Sequence, residues 1–189
     1  MTIPPANEVN GVSEHSDDTC VPHQYLKIKM ERPTLQATLC IPLNGDEVLL
    51  GMKKRGFGVG KYNGFGGKLK LGETVEEATL REFQEESGLC SKSEHLKKMA
   101  EIDFYFPYKP EWNQTVHVYT ISTFSGKPQE TEEMAFQWFK RNEIPYHQMW
   151  DDDKYWLPLV LEGKCLNATV IFKDINGENL VDYKEIRLL

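Results

Sequence analysis

Hydrophobic and polar positions alternate through most of the chain from Thr34 onward, which predicts a protein rich in β-strands. Predicted strands, marked by this alternation or by a short apolar run, cover 34–43, 47–53, 99–106, 114–124 and 134–140. The Asn44-Gly45 pair between the first two is typical of a hairpin turn. A closing hairpin is expected over 167–186, around Asn176-Gly177.

Two helices are predicted among these strands. The first covers 74–87, with a capping box formed by Thr74 and Glu77 and a stop at Gly88. The second covers 154–163 and is followed by the closing hairpin. Few helices among many strands predict an α+β or mixed α/β fold.

The start of the chain differs in character from the rest. Residues 1–32 are polar and interrupted by proline, so we expect a disordered extension before one domain spanning 33–189. A targeting or partner-binding segment is the alternative. No apolar run reaches the ~18–20 residues of a membrane span, and the first twenty residues lack the pattern of a signal peptide. Four isolated cysteines, without CxxC spacing, suggest reduced thiols. We therefore expect a cytoplasmic protein, with a mitochondrial or nuclear fraction as the alternative.

The overall charge argues against polyanionic macromolecules as partners. The chain of 189 residues carries a formal net charge of −7, so it has no general attraction for nucleic acid or anionic membranes. A polyanionic substrate would need a local Lys or Arg, or a bound metal. We expect a monomer that acts on a small molecule and binds neither nucleic acid nor membrane.

Three glutamates share one face of the first predicted helix. Glu82, Glu85 and Glu86 have i, i+3 and i+4 spacing, and a rotation of ~100° per residue puts Glu82 and Glu86 in the same sector as Thr79 and Phe83. A solvated acidic face should lie opposite the apolar stripe. Carboxylates at the edge of a core need a cation. Two interpretations stay open from the residues alone: a solvated helix face, or an oxygen-ligand metal site, for which Mg²⁺ is the usual choice beside phosphate.

The spacing around these glutamates resembles the box of the Nudix hydrolase family. Gly67, five residues, Glu73, seven residues and then REFQEESGL at 81–89 match every fixed position of that box. The resemblance implies a Nudix-type α/β/α sandwich with a mixed central β-sheet. It also implies hydrolysis of a nucleoside diphosphate linked to another group.

The resemblance further implies a divalent metal at the box. Its implied ligands are the three box glutamates, a loop glycine carbonyl and one acid outside the box: Glu82, Glu85, Glu86, Gly66 or Gly67, and Glu133. Glu133 either binds metal or orients the attacking water, and one of these four glutamates is the implied general base. Arg81 would brace the helix by pairing with Glu77 or Glu85. Mg²⁺ is the implied cofactor, with Mn²⁺ as the alternative.

Further segments resemble one branch of the family, the eukaryotic MutT homologues that hydrolyse oxidised purine nucleoside triphosphates. The segments are LLGMKKRGFGVGKYNGFGGK, VHVY, EEM and MWDDDKYWLPL, and the resemblance runs from about Leu35 to the C-terminus. It implies that 8-oxo-dGTP or 2-hydroxy-dATP is cleaved between the α and β phosphates. The monophosphate and pyrophosphate are released, which sanitises the nucleotide pool.

A purine needs an apolar slot with aromatic walls and a few polar groups. The residues available for the walls are Phe57, Phe104, Phe106, Met134 and Trp150. The resemblance matches Trp150 to a stacking tryptophan and implies polar contacts from Thr38, Asn63, Asp152 and Asp153. On the phosphate side we expect Lys53, Gly66 and Gly67.

Two adjacent carboxyls partly dried by a base cannot both ionise easily, so one keeps a proton and donates while the other accepts. The sequence departs from the branch at Tyr62, usually Trp, and at Asp151, usually Pro, which leaves the base preference open. Two other functions also stay open. One is a Nudix enzyme for ADP-ribose, a dinucleoside polyphosphate or an RNA cap. The other is a catalytically silent nucleotide-binding module.

Overall fold

The computed structural model of the protein describes residues 31–56, 58–173 and 180–189. The predicted extension over 1–32 falls almost entirely outside these residues. Phe57 and the Asn176-Gly177 turn also lie outside them. These three predictions therefore stay predictions, and the fold below concerns the unit Glu31–Leu189.

One mixed sheet runs through the described residues. Its strands are β1 (Gln36–Asn44), β2 (Glu47–Lys53), β3 (Tyr62–Asn63), β4 (Leu96–Tyr105), β5 (Gln114–Ile121), β6 (Met134–Lys140), β7 (Leu166–Lys173) and β8 (Leu180–Leu188). The order across the sheet is β3-β2-β1-β5-β4-β7-β8, and β6 pairs with β2. The pairs β1–β5 and β4–β7 are parallel, and the other pairs are antiparallel. The sequence therefore predicted the main strands and the closing hairpin correctly.

Two differences from the predicted strands have a local cause. β3 is missing from the predicted strands, because a strand of two residues is too short to show a period. β4 begins at Leu96 rather than Met99. A β-bulge between Lys98 and Ala100 breaks its alternation, and this hides the first residues of the strand from a pattern of period two.

Two α-helices lie in the described part of the chain, α1 (Val75–Ser87) and α2 (Asp153–Leu161). The predicted capping box is present. The backbone N–H of Glu77 donates to the Thr74 hydroxyl (3.2 Å), and the Thr74 N–H donates to Glu77 Oε2 (2.8 Å). Gly88 ends α1 in the left-handed region. Neither helix is long and apolar enough to cross a membrane.

The two helices cover opposite faces of the sheet. Phe83 of α1 packs with a core that includes Cys40, Phe65 and Leu89. On the other face, Trp156 of α2 belongs to a larger core, with Leu157, Val160 and Leu161 from the same helix. Helix, sheet and helix thus form three layers, which confirms the predicted α/β/α sandwich with a mixed sheet.

We expect Thr74→Ala to lower the free energy of unfolding by about 1 kcal/mol, because the first turn of α1 loses the acceptor for an otherwise unpaired N–H. Urea denaturation at neutral pH measures this change. Glu77→Gln keeps an oxygen that can accept from Thr74 N–H, so it should cost less. An equal loss in both variants would contradict a specific contribution from the threonine cap.

Candidate active site

A cavity of about 580 Å³ brings most of the predicted site residues together. The predicted residues that line it are Thr38, Lys53, Asn63, Gly66, Gly67, Phe104, Phe106, Glu133, Met134, Trp150, Asp152 and Asp153. Phe57 lies outside the described residues. Glu82, Glu85 and Glu86 do not line the cavity, but two of them contact its wall at the glycine pair.

The acidic face of α1 overlaps its buried face, as the helix phase predicted. Glu86 is only 4% exposed, and Thr79 and Phe83 beside it are fully buried. The side chain of Glu82 is 16% exposed, whereas that of Glu85 is 53% exposed. The interpretation as a merely solvated face therefore fails for Glu82 and Glu86.

The glycine pair lies directly against these carboxylates. The N–H of Gly66 donates to Glu86 Oε2 at 2.9 Å. A Cβ at Gly67 would lie 2.6 Å from Glu82 Oε1, so the Glu82 carboxylate would have to shift to make room for it. Glycine at this position thus lets the loop backbone approach the acidic face of α1.

Arg81 ties the acidic face of α1 to the loop before it. Its guanidinium donates to Glu73 through Nε (2.5 Å) and Nη2 (2.9 Å), and Nη1 lies 2.6 Å from Glu82 and 3.2 Å from Glu85. The hydrogen bond to Glu73 is the main cause of the raised pKa of Arg81. The predicted pair with Glu85 is present, whereas Glu77 is engaged in the helix cap instead.

Lys53 at the end of β2 connects the box to the acid outside it. Its Nζ lies 3.0 Å from Glu86 Oε1 and 3.6 Å from Glu133 Oε2. Burial raises the pKa of Glu86, and Lys53 opposes that shift. Arg55 Nη2 also donates to Glu133 at 2.9 Å. Glu133, distant in sequence, therefore belongs to the same charged network.

The donor set of this network suits a hard divalent cation. Within residues 31–56, 58–173 and 180–189, no three Asp, Glu, His or Cys side chains stand in an arrangement that could hold a metal ion. The donors are nevertheless carboxylate oxygens, the ligand type that Mg²⁺ prefers, and the loop glycines lie against two of them. Positive charge already compensates them, from Arg81 and Lys53. The donor type fits such an ion, whereas the side chains as they stand are paired with these two cations rather than arranged around a metal.

Aromatic rings build the other end of the cavity. Phe172 of β7 stacks on Phe106 (ring centroids 4.7 Å apart, 15° between planes) and on Phe104 (6.0 Å, 23°). Trp150 meets Phe172 edge-on at 6.2 Å. Sequence reasoning missed Phe172, although it follows the buried Ala168 and Val170 at a period of two along its strand.

Asp152 and Asp153 are both buried at this end, each 3% exposed. Asp152 Oδ2 accepts from Trp156 Nε1 (2.7 Å), and Asp153 Oδ2 accepts from the Trp150 N–H (3.0 Å). Burial raises the pKa of Asp152 to about 6. Burial and the adjacent Asp152 also raise the pKa of Asp153. The two carboxyls thus form a pair that retains protons more strongly than free aspartates do.

Asp151 does not join this pair. Its carboxylate accepts from the backbone N–H of Val181 in β8 (2.9 Å) and from Lys154. Burial acts to raise the pKa of Asp151, but these two donors outweigh burial and lower the pKa. The departure at this position therefore ties the Trp150 turn to the C-terminal strand and leaves the neighbouring pair intact.

Two smaller polar groups complete the cavity. Asn63 Oδ1 accepts from the N–H of Gly64 at 2.8 Å, so the amide nitrogen is the part of this side chain that can donate to a ligand. The Thr38 hydroxyl is buried and has no hydrogen-bond partner in the described part of the chain. Because an unpaired buried hydroxyl is costly, Thr38 suits a polar group of a ligand in this cavity.

Sequence reasoning missed several other residues of the cavity wall, notably Arg55, Lys61, Lys68 and Gln114. Three of these are cations in or beside the glycine-rich loop between β2 and β3, residues 54–61. Their number along the loop is visible in the sequence, but which of them turn inward depends on the folded loop.

Known proteins resemble the chain in both sequence and fold. A family model of the NUDIX domain matches residues 33–160. Oxidized purine nucleoside triphosphate hydrolase of Mus musculus is 46% identical over 137 residues, which cover 72% of this chain and 86% of that protein. Its namesake in Danio rerio is 48% identical over 127 residues, covering 67% and 80%. The MutT protein from Bacillus halodurans superposes with a TM-score of 0.70 at 23% identity, over 80% of this chain and 97% of that one.

We expect Asp152→Asn to stabilise the protein near pH 8 but much less at about pH 4. The folded state binds more protons than the unfolded chain between about pH 4 and the pKa of about 6, so wild-type stability falls as pH rises through this window. Asparagine removes that fall. The stability gain, measured by urea denaturation, should be larger near pH 8 by on the order of 2 kcal/mol.

Asp151→Asn is the matched control, one residue away. Because the pKa of Asp151 is lowered, its carboxylate stabilises the fold at neutral and higher pH, and the variant should be less stable than wild type there. A gain for Asp152→Asn that is equal at both pH values would contradict the raised pKa.

Proposed function

The chain belongs to the Nudix family, and from that membership we propose that it hydrolyses oxidised purine nucleoside triphosphates to the monophosphate and pyrophosphate. The substrates are of the 8-oxo-dGTP and 2-hydroxy-dATP type. One observation carries the proposal: a single cavity joins Gly66 and Gly67, against which the carboxylates of α1 lie, to an aromatic slot that ends in the buried pair Asp152 and Asp153. The identity of 46% to a protein named for this activity supports it.

The phosphate end of the cavity is formed by Gly66 and Gly67 and by the carboxylates of α1 behind them. Glu82, Glu85 and Glu86, with Glu133 and a backbone carbonyl at Gly66, are the residues proposed to hold Mg²⁺, for which Mn²⁺ is an alternative. When bound, the ion neutralises charge on the bridging and leaving phosphate oxygens and favours ionisation of the attacking water. One of the four glutamates accepts the proton of that water.

Lys53 and the pair Gly66 and Gly67 position the phosphates. The ammonium of Lys53 lies between Glu86 and Glu133 and lines the cavity. From there it reaches a phosphate oxygen, a contact that suits a compact point charge. Gly67 holds the loop backbone close to α1, where a side chain would separate the phosphates from the carboxylates.

The base end selects the purine. Trp150, Phe104 and Phe106, with Met134 and Phe57, provide the apolar walls on which a purine stacks. Asp152 and Asp153, whose pKa values are raised because both are buried, offer a donor and an acceptor to the base edge. A pair of this kind can serve both oxidised guanine and oxidised adenine. Asn63 and the unpaired hydroxyl of Thr38 provide further hydrogen bonds to the nucleoside.

In the cell, this reaction would remove oxidised nucleotides from the pool before a polymerase inserts them into DNA or RNA. The enzyme works on a free nucleotide, and neither nucleic acid nor a membrane is needed. We propose a cytoplasmic monomer.

The direct test compares kcat/KM for pyrophosphate release from 8-oxo-dGTP, 2-hydroxy-dATP and dGTP with Mg²⁺, using the full chain. We expect at least one oxidised purine to exceed dGTP by about tenfold or more, since one to two well-placed hydrogen bonds in a dried site supply that discrimination. ADP-ribose and a dinucleoside polyphosphate complete the panel. A preference for either of these, or binding without turnover, would overturn the proposal.

Glu82→Gln tests the carboxylate end separately. We expect kcat to fall by about 100-fold or more at saturating Mg²⁺, because a charged oxygen donor at the reacting phosphate is lost. Mn²⁺ binding, followed by electron paramagnetic resonance, should weaken in parallel. Glu94→Gln, an exposed acid outside the cavity, is the matched control and should behave as wild type. Normal turnover by Glu82→Gln would remove this residue from the mechanism.

A further inference from the structure

Lys61 closes the glycine-rich loop at the end of β2. The N–H of Lys53 donates to the carbonyl of Lys61 (3.1 Å), and the N–H of Gly60 donates to the carbonyl of Lys53 (2.8 Å). These two bonds fix the backbone of Lys61 where the chain enters β3. Its half-buried side chain lines the cavity.

The ammonium group of Lys61 reaches the opposite wall. Its Nζ donates to the carbonyl of Met149 at 3.2 Å and lies 5.4 Å from the ring centroid of Trp150. Met149 and Trp150 immediately precede the three aspartates in the chain. The charge of Lys61 is therefore held at the turn from which Asp152 and Asp153 enter the cavity.

The loop backbone fits the same tryptophan. The N–H of Lys61 donates to the carbonyl of Gly58 at 3.1 Å. Gly58 has φ +80°, and a Cβ there would lie 3.3 Å from Trp150 Cζ2. The close approach of this glycine brings the loop and the tryptophan together. The loop thus fixes the backbone of Lys61, and the turn at Met149 and Trp150 holds its ammonium group.

The charged and titratable groups around the buried pair are few. Asp151 and Lys154 come from the same segment, and Lys154 binds Asp151 rather than facing the pair. Tyr146 approaches Asp153 from the preceding turn, and Lys61 comes from the glycine-rich loop. Burial raises the pKa of both Asp152 and Asp153, and the neighbouring acids add to that rise. Hydrogen bonds from the Trp156 ring and the Trp150 backbone oppose it, and the charge of Lys61 opposes it in both, as the smallest of these effects.

We propose that Lys61 is a specificity-determining residue, whose ammonium group governs which hydrogen-bonding pattern the Asp152–Asp153 pair offers to the base. The inference rests on the proposed function, because it takes this pair to read the purine. Guanine presents a carbonyl oxygen at the position where adenine presents an amino group. The carbonyl needs a protonated carboxyl as donor, whereas the amino group needs an acceptor oxygen, for which an ionised carboxylate is the stronger choice.

The sign of the effect follows from this difference. A nearby positive charge favours the ionised carboxylate, so Lys61 lowers the pH up to which the pair keeps a proton. Without that charge the pair stays protonated to higher pH. Loss of the charge should therefore favour oxidised guanine over oxidised adenine at alkaline pH.

The test measures kcat/KM from pH 6 to 9.5 for 8-oxo-dGTP and 2-hydroxy-dATP with wild type, Lys61→Met and Lys61→Gln. We expect the alkaline limb for 8-oxo-dGTP to move up by about half a pH unit or more in both variants. The ratio of the two kcat/KM values at alkaline pH should rise about threefold or more in favour of 8-oxo-dGTP. Lys61→Gln keeps a donor for the Met149 carbonyl, so it separates the charge from the hydrogen bond.

Two further variants isolate the cause. Lys61→Arg keeps the charge and should retain the wild-type profile. Lys154→Met removes a neighbouring charge that is bound to Asp151, and its limb should move by less than half as much as that of Lys61→Met. A direct titration of the aspartate carboxyls by carbon-13 NMR on each full-length variant should show the same order, whatever the turnover.

The outcomes separate the two proposals. If wild type prefers neither oxidised purine over dGTP, the proposed function fails and the Lys61 inference falls with it. If wild type discriminates but both neutral Lys61 variants keep its profile and its NMR titration, the Lys61 inference alone is wrong. A move of the alkaline limb in Lys61→Arg equal to that in Lys61→Met would also overturn it, because the shape of the side chain and not its charge would then be responsible.

Discussion

Burying carboxylates is the constraint on which both ends of the cavity depend. A carboxylate taken out of water is unstable unless a positive charge or a proton compensates it. The acidic face of α1 uses cations, with Arg81 on Glu82 and Lys53 on Glu86. The acids after Trp150 instead hold their protons more strongly, since burial raises the pKa of both. One chemical group thus acquires two kinds of behaviour: a charged oxygen cluster, proposed to face phosphates, and a hydrogen-bonding pair, proposed to face a base.

The sheet makes it possible for both kinds to face one cavity. α1 and α2 pack on opposite faces, and residues 65–68 of the segment between β2 and α1 run antiparallel to β1, with bridges from Phe65 to Cys40 and from Lys68 to Ala37. The closing hairpin contributes more than sheet stability. Phe172 of β7 supports the aromatic slot, and Val181 of β8 holds the carboxylate of Asp151. Both residues lie beyond the segment matched by the NUDIX family model, 33–160.

Features encoded within a few turns of chain were predictable from the sequence. These include α1, its capping box and the overlap of its acidic and buried faces, because a helix period relates neighbours directly. The fold class followed from the strand pattern, and the resemblance gave the remaining site residues. Phe172 and Lys61 were missed because their positions depend on strand register and loop closure between distant segments. The direction of the Asp151 side chain depends on β8, thirty residues away along the chain, and no local pattern carries that information.

The two ends of the cavity also differ in how much of the chain they need. The carboxylates and the glycines that press on them lie within one short stretch, Gly66 to Glu86, and Lys53 and Glu133 are the additions from elsewhere. The base end is assembled from β1, the glycine-rich loop, β4, the start of α2 and β7. Most of the residues proposed for hydrolysis therefore lie in one short segment, whereas the residues proposed to select the base come from many distant positions. Substitutions scattered across the domain can therefore redirect the enzyme to another nucleobase while leaving the bond that it breaks unchanged.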